Sequence, residues 1–108
     1  METITEIRRL ALEHAPTIQL PWETIDKDPS GFAFHLEVAT KMIPDIESLY
    51  EKLLQGVHVS IPNENSTLNY NDREFYCHLV ADELYNAYII QDIYDRFKLI
   101  QSITEMES

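Results

Sequence analysis

From Asp72 to Ile103 the chain runs 32 residues without a glycine or a proline. Nothing in such a stretch ends a helix, and Asn71 with Glu74 three residues on supplies a start resembling a capping box. A helix of that length spans about 48 Å, whereas a compact domain of 108 residues has a radius of gyration near 13 Å and is only about 34 Å across. A straight helix therefore overhangs its own domain. Either it breaks, or the overhang packs on something else, such as a second copy of the chain. Phe75, Tyr76, Leu79 and Val80 line one face and Ala87, Ile90, Ile93, Tyr94 and Phe97 resume it, but Asp82, Glu83 and Asn86 fall in or beside the same sector. Polar residues in a buried stripe need partners or a bend, so an interruption is expected across 82–90.

The remainder also reads as helical. Ile4, Ile7, Leu10 and Ala11 fall at helical spacing, and Thr3 with Glu6 matches a capping box. Pro16 bars continuation. Thr17 to Leu20 reads as a short strand ending at Pro21, followed by an irregular segment from Trp22 to Gly31. Asp28 as N-cap with Pro29 at the first helical position opens a second helix. Its residues Phe32, Leu36, Ala39 and Ile43, flanked by Phe34, Val38 and Met42, predict burial on a broad face. Pro44 interrupts that helix, and Asp45 and Glu47 suit the start of another. This one continues through Ile46, Leu49, Tyr50, Leu53 and Leu54 to Gly56, placed as a left-handed C-terminal cap. Val57 to Ile61 alternates apolar and polar residues, as a half-buried strand does.

The expected fold is a mainly α, single domain over 1–108, with four or five helices, a minor two-stranded β element pairing 17–20 with 57–61, and a flexible tail from about 104 to 108. No internal repeat divides the chain.

Composition narrows function by exclusion. Eight basic residues against 19 acidic ones leave a net charge of −11. Affinity for phosphate chains and for anionic lipid comes from Lys and Arg, so direct nucleic-acid and membrane binding are both disfavoured. Acids outnumber bases about two to one in each of the larger segments, with no dense acidic run. That diffuse charge suits solubility and steering toward a basic protein more than imitation of a DNA phosphate path. The first fourteen residues carry three glutamates and no apolar core, so they are expected to be structure and not a secretory signal. Cys77 stands alone, which leaves no disulfide framework or paired-cysteine zinc motif. A cytoplasmic protein is the simplest expectation.

Chemistry-bearing patterns are sparse. Glu74, His78 and Asp82 lie along one line of the last helix, but such lines are what solvated helix faces show, and no second ligand pair exists. Cys77 and His78, adjacent on a helix, point about 100° apart and do not make a nucleophile with its base. With only Gly31 and Gly56, no dinucleotide or phosphate loop can be written. No catalytic residue, metal or cofactor is assigned. The aromatic residues carry more. Tyr85 and Tyr88, with Leu84, Ile89 and Leu99, lie off the main stripe, so the helix is apolar on more than one side and is either central in its core or covered by a partner.

Tyr85, Tyr88, Ile89, Leu99 and Trp22 are accordingly the candidate partner-binding residues. The expected function is a small acidic, non-enzymatic protein-binding factor, a regulator, inhibitor or immunity-type protein, that docks on another protein with a basic surface. The alternatives are a homo-oligomeric accessory domain dimerising through the last helix, a DNA-mimic inhibitor, and a divalent-metal enzyme using the Glu74, His78, Asp82 line.

Overall fold

A computed structural model describes residues 2–56 and 70–107, side chains of 70–72 and 107 excepted. The described residues are mostly helical and contain no strand. They form α1 (Ile4–His14), a 3-10 turn (Ala15–Thr17), α2 (Trp22–Lys27), α3 (Pro29–Lys41), α4 (Ile43–Leu54) and α5 (Tyr70–Glu107).

Local chemistry sets several boundaries where the sequence places them. At α1, Glu6 N–H donates to Thr3 Oγ1 at 3.2 Å while Thr3 N–H donates to the Glu6 carboxylate at 2.9 Å, a complete capping box. Asp28 Oδ1 accepts from Gly31 N–H at 3.0 Å, Pro29 occupies the first position of α3, and a Cβ at Gly31 would collide with that capping carboxylate. Met42 ends α3 and opens α4, with Pro44 in the first turn of the new helix. Gly56 closes the end of α4 at φ +75°, the left-handed conformation in which a Cβ is strained.

Other expectations change. Trp22 to Lys27 is a short helix, not an irregular segment. Its Glu23 and Lys27 sit at the ends where the helix dipole favours them, and Ile25 is buried. Ile18 to Leu20 form no strand, because the chain leaves α1 through a 3-10 turn and enters α2 directly; the proposed partner, 57–61, lies outside the described residues. Helix α3 contains no fully buried residue. Phe32, Leu36 and Ala39 are half-buried, while the flank Phe34, Val38 and Met42 faces solvent.

The largest correction concerns the last helix, which is unbroken for 38 residues and continues helical to Glu107, past the expected start of a tail. That length corresponds to about 57 Å, the full 57 Å long axis of the molecule, so α5 is straight. The radius of gyration, 17.0 Å, exceeds the roughly 13 Å of a compact chain this size for the same reason. No bend is needed because Asp82, Glu83 and Asn86 remain exposed and so leave no polar group stranded.

Instead of bending, α5 changes the side on which it is buried. Its first half sets Cys77, Val80, Leu84, Ala87 and Tyr88 into a cluster with Ile7, Ala11 and Ala15 from α1 and the turn, and Ile43, Ile46, Tyr50 and Leu53 from α4. Its second half sets Phe97 against Leu20 and Ile25, with Phe32 from α3 edge-on to Phe97 at 5.3 Å between centroids. At about 100° per residue Phe97 lies roughly 140° to 180° around the axis from Leu84 and Tyr88 but only about 80° from Ala87 and Ile89, so the buried arc shifts along the helix. Ile93 packs against both clusters. No helix of the described residues is long and apolar enough to cross a membrane.

Candidate functional site, an acid-rimmed apolar groove

Met42 and Pro44 make the corner where α3 passes into α4, and both helices pack against α5. Between them lies a groove of about 430 Å³ lined by Ala39, Met42, Ile46, Leu79, Asp82, Glu83, Asn86, Ala87 and Ile90. Ala39 and Ala87 give the depression its depth, since neither fills the space a larger side chain would occupy. Met42 and Leu79 are 50% and 47% exposed at its edge. The exposed apolar surface extends along both walls: Phe34 and Val38 precede Met42 at four-residue steps on α3, and Phe75 precedes Leu79 on α5. Asp82 and Glu83 stand exposed on the rim and form no ion pair with another described residue.

The five residues expected to bind a partner do not share a surface. Tyr88 and Ile89 are 1% and 8% exposed and belong to the core, because the middle of α5 is enclosed on several sides by α1, α3 and α4. That burial takes both out of any exposed docking face. Tyr85 is half-buried beside the His14 ring, 6.2 Å between centroids. Leu99 is 61% exposed on the last third of α5. Trp22 is 47% exposed and lines a separate hollow of about 370 Å³ with Ile25, Phe97 and Ile100. The groove residues Met42, Leu79, Asp82 and Glu83 were not selected by sequence, although Met42 stood on the flank of α3 and the two acids interrupted the expected buried stripe. Those two departures from simple patterning were the available signal.

No group of three metal-binding side chains converges among the described residues. Cys77 borders a hollow with Tyr50, His78 and Asp82, but its thiol is buried and burial raises its pKa, which keeps it protonated and a poor nucleophile. The chain matches no known protein family, no curated protein and no solved structure.

Buried phenols supply one pH prediction. Tyr50 donates to the Glu2 carbonyl at 2.6 Å, and burial raises its pKa. Burial, then the charge of the neighbouring Glu47 carboxylate and its hydrogen bond with the phenol, pushes Tyr88 up to about 12. All three raised groups favour the neutral form in the folded state. Their contribution is complete below the ordinary thiol and phenol pKa values and is lost as pH climbs toward 12. Urea midpoints are expected to fall steadily between pH 9 and 11.5. Tyr88→Phe should flatten the upper part of that fall. A wild-type profile flat to pH 11.5, or a Tyr88→Phe profile that falls as steeply as the wild type, contradicts this account.

Proposed function

We propose that the chain is a small acidic, non-enzymatic protein-binding factor, of regulator, inhibitor or immunity type, which docks on another protein through the groove between the α3–α4 corner and α5. The observation that carries this reading is the open apolar trough edged by Met42 and Leu79 and rimmed by two carboxylates that form no ion pair among the described residues. An exposed apolar patch on a highly charged small domain favours a partner, and the net charge of −11 favours one with a basic surface. Tagged protein incubated with native extract should retain a specific protein that Leu79→Glu loses. Leu79 is exposed and glutamate is a good helix former, so circular dichroism and melting should stay unchanged. Retention of the same protein by folded Leu79→Glu overturns the assignment.

A second reading rests on a different observation. Leu99, Ile103 and Met106 are exposed along one line of the last third of α5, a seam through which two copies would pair. Light scattering at micromolar concentration distinguishes the readings, since a strict monomer removes this one.

A further inference from the structure

We propose that the occupant of the groove is a single amphipathic helix about three turns long, apolar where it enters between Met42 and Leu79 and basic along the edge that meets Asp82 and Glu83. This rests on the groove being the docking surface. Its α5 wall extends from Leu79 to Ile90, about 16 Å, which is the length of three helical turns.

Backbone chemistry selects the form of the ligand. Both walls are built from helices, whose interior amides and carbonyls are paired along the helix itself. An extended segment lying there would find no sheet edge to satisfy its backbone, whereas a helix brings its hydrogen bonds with it. Leu79, Glu83, Asn86 and Ile90 follow one another at four, three and four residues, so the wall presents a ridge of the kind that helix packing engages.

Charge selects the flank. Among the described residues Asp82 and Glu83 have no cationic partner, and Lys41, on the same α3 corner, is paired with Glu37 at 3.4 Å. A second copy is a poor occupant. Two chains of net charge −11 repel.

The test uses the full chain and three fluorescein-labelled synthetic peptides of equal length. One carries Leu at helical spacing with Lys flanks, the second replaces Lys by Glu, and the third keeps the first composition but scrambles the Leu positions. Fluorescence anisotropy should show the first peptide bound at least about tenfold tighter than either other, with its helicity rising on binding. Asp82→Lys with Glu83→Lys should reverse the preference between the Lys and Glu peptides. Glu23→Lys with Asp26→Lys, an equal change of net charge on α2, should leave it unaltered. Equal binding of the scrambled peptide, or the same response to the α2 pair, overturns the proposal in favour of unspecific attraction. Loss of native-partner capture on Leu79→Glu, with no peptide bound, leaves the docking surface standing and removes the helical occupant. Capture and peptide binding both indifferent to Leu79→Glu remove the docking surface itself.

Discussion

Leu84→Ala is expected to lower the unfolding free energy by about 3–5 kcal/mol. Leu84 is fully buried, at 0% exposure, in the cluster that joins α5 to α1 and α4. Truncation removes three carbons' worth of apolar transfer and leaves a void, because the cluster's neighbours belong to three different helices and cannot all close in. Domains of this size have about 5–15 kcal/mol in total, so the variant should lose a large share of its stability. Urea denaturation followed by circular dichroism measures the loss, and a change below about 1 kcal/mol would show that Leu84 is not at the centre of the packing. Leu99→Ala serves as the contrast. At 61% exposure on the last third of α5 it should leave stability within about 0.5 kcal/mol.

Arg96→Ala is expected to cost about 2–3 kcal/mol, and by a different mechanism. The Arg96 guanidinium donates to the Ala15 carbonyl at 2.9 Å and to the Ile18 carbonyl at 3.1 Å, and its Nε lies 2.9 Å from Asp92. Those carbonyls belong to the chain as it leaves α1 and turns toward α2, the negative end of the helix dipole. One planar side chain thus fastens the α1–α2 connection to α5 and balances a carboxylate that is itself only 25% exposed. The alanine variant abandons both carbonyls and the carboxylate together. Arg96→Lys keeps the charge but not the fork, so it should recover less than half of the loss. Equal stabilities for Lys and Arg would show that charge alone acts there.

The sequence was most legible where a boundary depends on a few neighbouring atoms. Thr3 with Glu6, Asp28 with Pro29, and Gly56 each announce a cap whose geometry involves no distant residue. Pro44 likewise separates α3 from α4 through its own ring. The helix α2 escaped notice because six residues with one buried apolar side chain make too short a pattern. The orientation of α5 was not legible for the opposite reason. A helix apolar on several sides offers more than one stripe, and only the positions of α1, α4 and α2 decide that Leu84 and Tyr88 turn inward while Phe75 and Leu79 stay outside. Choosing Tyr88 and Ile89 as surface residues follows from the same ambiguity. The groove needed tertiary structure altogether, since its walls join Met42 to Leu79 across the chain.

The shift of burial around α5 has a mechanical consequence. A helix held on one side can roll about its axis to suit a ligand or a substitution. Here a roll that improves the fit of Leu84 and Tyr88 would lift Phe97 away from Leu20 and Ile25, and the converse holds as well. The two grips lock the rotation of the whole rod. Asp82 and Glu83, although they touch solvent, are therefore aimed by a phenylalanine about 20 Å further along the helix, and the groove wall keeps its orientation for as long as both ends stay seated.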